Sequence, residues 1–319
     1  MLAARTRPAC LSKLRPQAKG TGAAGFDGCD HLWYHVDVDM ASRGSREDTE
    51  EATVPQPVQT PPIAASHSPE LKASLMLPGR TRPFVMAHRG NQVACPENTL
   101  AAFRRAIDEG ADILETDLHL TADGTLVCIH DASVDRTTDG RGDVADLGLH
   151  EIKGLSAAYG RPEFVDERIP TLAELLDLIP ADTGLALELK TDRFLEPAVC
   201  RQLVAQLQDG GIRDRTVVLS FSLIRLQAVQ AVASDLPIGW ITLSRLWPLQ
   251  GVQMLGPLWP LLLANPLYVW LAHVRKQLVC PLDPTPNRRL GLYTRLGCDA
   301  VLSDDPGATI EALRGFRES

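Results

Sequence analysis

The sequence has no surplus of basic residues. Its 32 lysines and arginines stand against 40 aspartates and glutamates, which leaves a formal net charge of −8. A nucleic-acid-binding protein needs basic side chains to neutralise phosphates, so this balance argues against that class. The sequence also has no short-period repeat, and no glycine-rich loop follows its first predicted strand. The missing loop argues against a dinucleotide-binding fold.

Closely spaced cysteine pairs are also absent. The seven cysteines lie at positions 10, 29, 95, 128, 200, 280 and 298. Their number is odd, and no two have the close spacing of a zinc site. We interpret them as reduced thiols, which behave as small apolar residues. A reducing compartment follows, so we expect a cytoplasmic protein.

No apolar run is long and uninterrupted enough to predict a membrane-spanning helix. The uncharged stretch 246–272 has the length of a membrane span, but it contains four prolines, at positions 248, 257, 260 and 266. Prolines inside a helix kink or break it. Two interpretations stay open. The stretch is either a long apolar loop with short helices packed on the domain, or an apolar lip that contacts a lipid-like substrate or a membrane surface.

Residues 1–80 show no sustained helical or strand periodicity. The first 25 residues are basic and contain no acid, but they lack the continuous apolar core of a secretory signal. An organellar transit peptide and an over-extended gene start both stay open. We expect 1–80 to be a disordered or misassigned N-terminal extension, and 83–316 to form the folded domain.

From residue 83 the pattern alternates between strands and helices. The predicted strands are 84–87, 112–119, 125–129, 185–189, 216–221, 238–243, 277–282 and 299–302. Helices are predicted between most of them, and Thr171 is the predicted N-cap of one. Eight strands with intervening helices predict an α/β fold of the TIM (β/α)8 barrel type.

Charged and histidine residues stand at the ends of four predicted strands. In a barrel of this kind, the carboxyl ends of the strands line the active site. The residues placed there are His88, Arg89, Glu115, Asp117, His130, Glu188 and Lys190. Solvated loop ends explain any one of them, but they explain the whole set poorly. We therefore predict one assembled site.

Three carboxylates of this set predict a metal site. Glu115 and Asp117 are two residues apart on a predicted strand, so their side chains share a face, and the same holds for Glu188 and Lys190. Carboxylates that converge at a barrel mouth repel one another unless a cation neutralises them. Oxygen ligands suit Mg²⁺ or Ca²⁺ better than zinc. His119 lies on the same side but further along the chain, so we expect it at the rim.

The two histidines, His88 and His130, are the natural acid–base pair, because imidazole titrates near neutral pH. We expect His130 to take a proton from the attacking oxygen and His88 to give one to the leaving group. Arg89 and Lys190 supply fixed positive charge, and a guanidinium matches phosphate oxygens. Together these groups predict phosphoryl transfer without a nucleotide-binding loop.

Several short motifs follow one another in a fixed order along the folded part. They are His88-Arg89-Gly90, Pro96-Glu97-Asn98-Thr99, Glu115-x-Asp117, Thr121-x-Asp123-Gly124, His130-Asp131, Arg136-Thr137-Thr138, Glu188-x-Lys190 and Ser303-Asp304-Asp305-Pro306. This ordered set resembles the glycerophosphodiester phosphodiesterase family over about 83–315. The first motif alone would carry no weight.

The resemblance implies a TIM barrel that hydrolyses glycerophosphodiesters to glycerol 3-phosphate and an alcohol. The attacking oxygen belongs to water or to the substrate's own neighbouring hydroxyl, and both stay open. The residues whose roles the resemblance implies are the metal ligands Glu115, Asp117 and Glu188, the catalytic pair His88 and His130, the phosphate contact Arg89, the substrate contact Lys190 and the supporting Glu97.

The sequence departs from this family at its seventh predicted strand. Many members carry a Trp-Thr-Val-Asn-like segment there, whereas residues 279–284 read VCPLDP. Tyr159 or the tryptophans of 246–272 could replace the aromatic wall that this segment provides.

Two alternative functions stay open. The stretch 246–272 favours a lysophospholipase D-type activity on lysophospholipids, with peripheral membrane contact through that stretch. A non-catalytic barrel that binds a phosphate or a lipid is the other alternative. The complete set of histidines and carboxylates argues against it, because binding alone does not need an acid and a base.

Overall fold

The computed structural model describes residues 77 and 79–318. The extension expected at 1–80 therefore lies almost entirely outside the described residues. The folded domain expected at 83–316 lies within them, and its boundaries stay a prediction.

Eight parallel strands of the described residues form one sheet that nearly closes on itself. All strands, in chain order, are β1 (Phe84–His88), β2 (Ile113–Leu120), β3 (Leu126–Cys128), β4 (Gly184–Leu189), β5 (Thr216–Ser220), β6 (Ile238–Thr242), β7 (Met254–Pro257), β8 (Leu278–Val279) and β9 (Ala300–Ser303). The parallel strands follow the order β8-β7-β6-β5-β4-β2-β1-β9. The Asp299 N–H, next to β9, donates to the Val279 carbonyl at 2.9 Å. This bond joins the two edges, and the predicted barrel is confirmed.

One predicted strand lies outside the barrel, and one barrel strand was not predicted. The predicted strand at 125–129 forms β3, which pairs antiparallel with β2 and lies outside the barrel. The chain reverses there because Gly124 adopts a φ of +81° and the Thr125 N–H donates to Thr121 Oγ1 at 2.8 Å. The barrel strand that the sequence did not predict is β7, which is the sixth barrel strand in chain order and lies inside the stretch 246–272.

Alternate residues of the strands fill the barrel interior. On β1, Phe84 and Met86 lie in this interior, and His88 follows on the same face. Ala300 and Leu302 do the same on β9. β1 and β9 therefore fill the interior with apolar side chains first, and the polar residues His88 and Asp304 follow at their carboxyl ends.

Short helices cover the barrel. They are α1 (Leu100–Asp108), α2 (Leu149–Gly154), α3 (Leu172–Leu176), α4 (Pro197–Asp209), α5 (Leu223–Val232), α6 (Pro260–Ala264), α7 (Tyr268–Val274), α8 (Leu290–Leu296) and α9 (Pro306–Glu318). The predicted N-cap at Thr171 is confirmed, since its side chain accepts from the Glu174 N–H at 3.2 Å. The Glu174 carboxylate accepts in turn from the Thr171 N–H at 2.7 Å, which completes a capping box.

The stretch 246–272 packs on the barrel with only part of its apolar surface. Tyr268, Val269 and Ala272 are buried on the inner face of α7. Trp247 and Trp270 are each 60% exposed. The interpretation as a loop with short helices is therefore only partly right, because the stretch also contains β7, and contact with a lipid or a membrane stays a prediction. Within the residues that the structure describes, none of the helices combines the length and the apolar character needed to cross a membrane.

Candidate active site

The register of the parallel strands brings four predicted residues together at the carboxyl ends of β1, β2 and β4. His88 pairs with Glu115, and Asp117 pairs with Glu188. Side chains at paired positions of neighbouring strands point to the same face of the sheet. All four residues are buried. They therefore share one side of the barrel mouth.

The three carboxylates form a compact cluster. Glu115, Asp117 and Glu188 offer oxygens that all lie within 4.8 Å of one another. Burial, followed by the charges of Asp117 and Glu188, raises the pKa of Glu115 well above its usual value. Within the described residues, the buried Asp117 Oδ1 atom accepts no hydrogen bond of good geometry, and its close cationic neighbour is the Lys190 ammonium at 3.1 Å. A carboxylate oxygen left in this way among two further carboxylates fits a hard divalent cation such as Mg²⁺ or Ca²⁺.

Two basic side chains flank the cluster. The Lys190 Nζ atom lies 2.8 Å from Glu188 Oε1 and 3.1 Å from Asp117 Oδ1. The Arg89 Nε atom lies 3.2 Å from Asp117 Oδ2. Burial alone would raise the pKa of Asp117, but Lys190 and then Arg89 outweigh it and hold that pKa well below its usual value. Asp117 is therefore ionised, and Glu115 is the carboxyl group that most readily holds a proton.

The tight turn after β1 fixes the position of Arg89. Arg89 and Gly90 both lie in the left-handed region, with φ values of +57° and +80°. The Arg89 backbone N–H donates to Glu115 Oε2 at 3.0 Å. A Cβ atom at Gly90 would lie 2.6 Å from the Ala102 backbone carbon. Only glycine allows the turn to approach α1 this closely.

Glu97 holds two arginines at the edge of the site. Its Oε1 atom accepts from Arg89 Nη1 at 2.9 Å. The Arg136 guanidinium donates from Nη2 to Oε1 and from Nη1 to Oε2, both at 2.8 Å. Burial would raise the pKa of Glu97, but Arg136 and Arg89 together lower it below its usual value. Glu97 is therefore an ionised link between the two arginines, which gives its predicted supporting role a physical basis.

The Asp304 carboxylate, for which no role was predicted, holds the ring of His88. The Nδ1 atom of His88 lies 2.7 Å from Asp304 Oδ1. Gln92 Nε2 donates to the same oxygen at 2.6 Å. A carboxylate at Nδ1 fixes the ring and leaves Nε2 for chemistry. Burial and then Arg89 lower the pKa of His88, despite Asp304, so the ring is neutral near pH 7.

His130 reaches the site through the β2–β3 hairpin. The interpretation of His130 as the end of a barrel strand is wrong, because β3 lies outside the barrel. The hairpin nevertheless returns to the mouth, where the Ile129 N–H donates to the Asp117 carbonyl at 3.0 Å.

A carboxylate also orients the ring of His130. The His130 Nδ1 atom lies 2.7 Å from Asp131 Oδ1, and Arg136 Nε donates to Asp131 Oδ2 at 2.6 Å. The hydrogen bond with His130 holds the pKa of Asp131 well below its usual value. Burial opposes this shift, and the hydrogen bond with Arg136 adds to it. Asp131 and Arg136 belong to the motifs His130-Asp131 and Arg136-Thr137-Thr138, but no role was predicted for either residue.

His119 does not lie at the rim, and that expectation is wrong. The residue is buried, and its Nε2 atom lies 3.2 Å from the His130 carbonyl oxygen. The rim lies further out because β3 folds back alongside the end of β2. Burial lowers the pKa of His119 to about 4. A neutral His119 therefore donates to the His130 backbone and supports the hairpin from within.

The wall opposite the charged strands is apolar. A cavity of about 50 Å³ begins at His88, Glu115 and Glu188. Its apolar lining comes mostly from β5, β6 and β7 and from the residues after β8, namely Leu219, Ile241, Met254, Cys280, Pro281 and Leu282. The segment that departs from the family pattern thus supplies part of this wall.

Asp283, within this segment, and Tyr159, a candidate for the aromatic wall, both contact residues outside the cavity. Asp283 accepts from Arg289 Nε at 2.6 Å and from the Tyr293 hydroxyl, so it anchors α8 and the turn before it. Tyr159, one candidate for the missing aromatic wall, lies against Arg136, whose Cζ atom is 5.5 Å from the ring centre. It is not among the residues that line the cavity.

Several known proteins have a similar sequence. The sequence model of the Glycerophosphoryl diester phosphodiesterase family matches residues 88–308. A glycerophosphodiester phosphodiesterase of Caldanaerobacter subterraneus subsp. tengcongensis is 35% identical over 240 residues, which are 73% of this chain and 98% of that protein. Glycerophosphodiester phosphodiesterase 1 of Rattus norvegicus is 47% identical over 109 residues, which are 33% of each chain.

A solved structure with the same fold is a phosphodiesterase of Oleispira antarctica in complex with its product, sn-glycerol-3-phosphate. Its TM-score is 0.66 and its sequence is 28% identical, and the match covers 73% of this chain and 97% of that one. The likeness therefore extends over nearly the whole of that barrel.

Proposed function

The chain belongs to the glycerophosphoryl diester phosphodiesterase family and is a phosphodiesterase; on that premise we propose that it hydrolyses glycerophosphodiesters to glycerol 3-phosphate and an alcohol. The observation that carries the proposal is the strand register, which pairs His88 with Glu115 and Asp117 with Glu188. The product bound to the Oleispira antarctica phosphodiesterase supports the substrate class.

Glu115, Asp117 and Glu188 would hold one divalent cation, Mg²⁺ or Ca²⁺. Their oxygens are close enough to share an ion, and no sulfur or imidazole ligand joins them in the described residues. Such an ion would act as a Lewis acid toward the phosphate and would neutralise the cluster. Since Glu115 most readily holds a proton, binding of the cation would release that proton.

His88 and His130 would transfer the protons of the reaction. Each ring is oriented by a carboxylate at Nδ1, Asp304 for His88 and Asp131 for His130. A base must be neutral before it acts, and the lowered pKa of His88 keeps its ring neutral. The structure thus supports His88 as the proton acceptor and His130 as the donor, the reverse of the order that the sequence suggested.

Arg89 and Lys190 would bind the phosphate. In the structure both contact carboxylates of the cluster. With a cation held by those carboxylates, the two positive side chains would be available to phosphate oxygens. Glu97 would keep the Arg89 guanidinium in position, because it accepts from Nη1 on the side away from Asp117.

A lysophospholipase D-type activity is the second candidate. The apolar lining of the cavity, with Ile241, Met254 and Leu282 among its residues, favours a substrate that carries an alkyl chain. The exposed apolar side chains of the stretch 246–272 favour the same class, together with contact to a membrane surface.

The proposed reaction predicts a specific product, and it predicts a loss of activity when either histidine is replaced. We expect the protein to release glycerol 3-phosphate from glycerophosphocholine, measured by phosphorus NMR of the reaction mixture. Both His88→Ala and His130→Ala should lower kcat by about 10²- to 10⁴-fold. His150→Ala is the matched control, since His150 is exposed on α2, and it should retain full activity. Release of phosphocholine instead, or full activity in either site variant, contradicts the proposal.

The same measurement separates the open alternatives. A cyclic phosphate product would identify the substrate's own hydroxyl as the attacking oxygen. Faster turnover of acylated lysolipids than of glycerophosphocholine would favour the second candidate.

A further inference from the structure

One face of the described protein exposes an unusual number of large apolar side chains. We call it the tryptophan face, and it comprises Leu246, Trp247, Leu263, Leu267, Trp270 and Val274. Their side chains are between 41% and 64% exposed. Single exposed apolar residues are ordinary, but a contiguous set marks a surface that is covered in use.

Local geometry gathers these residues into one surface. Leu267, Trp270 and Val274 stand at helical spacing on the outer side of α7, opposite its buried Val269 and Ala272. The segment 246–248 lies along the same helix.

Two hydrogen bonds hold this segment against α7. Asn265 Nδ2 donates to the Leu246 carbonyl at 2.7 Å, and Arg275 Nη1 donates to the Pro248 carbonyl at 2.7 Å. Because Trp247 lies between these two hydrogen-bonded residues, it is held beside α7.

The chain segment that forms this face carries charge of one sign. Residues 236–282 contain no aspartate or glutamate, although the whole chain carries a net charge of −8. The charged residues of this stretch are Arg245, Arg275 and Lys276, and all three are exposed. Amphipathic tryptophans bordered by basic side chains match the interface of an anionic lipid layer.

The chain connects this face to the apolar wall of the active site through the residues between Leu258 and Leu263. Leu258, two residues before α6, forms a parallel bridge with Leu282, and Leu282 lines the cavity beside the carboxylate cluster. The exposed Leu263 lies on α6 itself. An apolar track therefore leads from the exposed surface toward the mouth of the barrel.

We propose that the tryptophan face docks the protein on an anionic lipid surface, with Trp247 and Trp270 at the lipid interface and Arg245, Arg275 and Lys276 against lipid phosphates. Docking in this way places the apolar track against the acyl region of the layer. The inference deepens the proposed function, because it names a lipid layer as the source of substrate. It is tested by binding alone, independently of turnover.

The experiment is co-sedimentation of the full chain with vesicles of phosphatidylcholine, with and without phosphatidylglycerol. We expect binding to the anionic vesicles that weakens as salt is added. Trp247→Ser/Trp270→Ser should reduce the partition coefficient by about tenfold or more. Arg245→Gln/Lys276→Gln should reduce it roughly fivefold per charge, and only on anionic vesicles.

Matched controls lie elsewhere on the surface. Val165→Ser removes an equally exposed apolar side chain, and Arg104→Gln removes an exposed charge on α1. Both should bind vesicles like the wild type. Hydrolysis of water-soluble glycerophosphocholine should be the same in all these variants, so a failed docking proposal leaves the proposed reaction intact.

Three results overturn the inference. The first is unchanged vesicle binding by the double tryptophan variant, and the second is no binding by the wild type. The third is a wild-type dimer in sedimentation velocity that becomes a monomer in the double tryptophan variant, because the face would then be covered by a second copy of the chain.

Discussion

Three of the groups proposed to act in the reaction each contact a charged side chain that lies outside the carboxylate cluster. Asp304 stands behind His88, Asp131 behind His130, and Glu97 behind Arg89. The sequence could reveal the pair His130 and Asp131, because the two residues are adjacent. It could not reveal the partner of His88, since Asp304 lies 216 residues away and only the closure of the barrel brings the two together.

The carboxylate cluster predicts an unusual dependence of stability on pH. Folding raises the pKa of Glu115, so the folded state without metal binds more protons at this group than the unfolded state does. Its stability should therefore fall as the pH rises through that raised pKa. Asp117, whose pKa is lowered, contributes the opposite trend at acid pH.

We expect Glu115→Gln to remove this loss of stability. The neutral amide relieves repulsion from Asp117 and Glu188, and its oxygen can still accept from the Arg89 N–H. In chelator, the variant should unfold at a higher temperature than the wild type at neutral and alkaline pH, as followed by circular dichroism. Added Mg²⁺ or Ca²⁺ should stabilise the wild type only.

Glu163→Gln is the control for this comparison. Glu163 is an exposed carboxylate outside the cluster, so its replacement should leave the pH profile of unfolding unchanged. A wild type that grows more stable in chelator as the pH rises would contradict the assigned electrostatics of Glu115.

The number of barrel strands is as predicted, but the sequence pattern assigned β3 to the barrel in place of β7. β7 is only four residues long, Met254–Pro257, and it lies in an apolar stretch without alternation, so no strand pattern was visible. β3 has the composition of a strand, but the tight turn at Gly124 pairs it antiparallel with β2. Pairing direction depends on where the chain returns, which local pattern does not specify.

The turn after β1 leads to a prediction about a single element, the contact between this turn and α1. Gly90→Ala should destabilise the protein by more than about 2 kcal/mol, because its Cβ atom would collide with the Ala102 backbone. Any folded fraction should have low activity, since the turn positions Arg89. Urea unfolding and glycerophosphocholine turnover measure the two effects.

Gly124→Ala is the matched control for this substitution. Gly124 has nearly the same φ, +81°, but nothing lies within 4 Å of a Cβ atom added there. It should cost only the conformational strain, about 1 kcal/mol, and leave turnover near the wild-type level. Equal destabilisation by the two substitutions would mean that the close approach to α1 is unimportant.

For the whole molecule, sequence motifs led to the family and hence to the barrel and one half of its mouth. His88, Glu115, Asp117, Glu188 and Lys190 could be placed because each ends a strand of the same parallel sheet. The apolar half could not, because it depends on β7 and on residues 279–284, where the pattern departs from the family. The exposed position of Trp247 and Trp270 likewise depends on how α7 packs.

The central claim is that the chain is a phosphodiesterase whose carboxylate cluster holds a divalent cation that the reaction needs. The most direct test measures glycerol 3-phosphate release from glycerophosphocholine before chelation, after complete removal of metal, and after return of Mg²⁺ or Ca²⁺. The structure predicts that activity disappears on chelation and returns with one of the two ions, whereas Asp117→Asn stays inactive throughout. Full activity after complete chelation would contradict it.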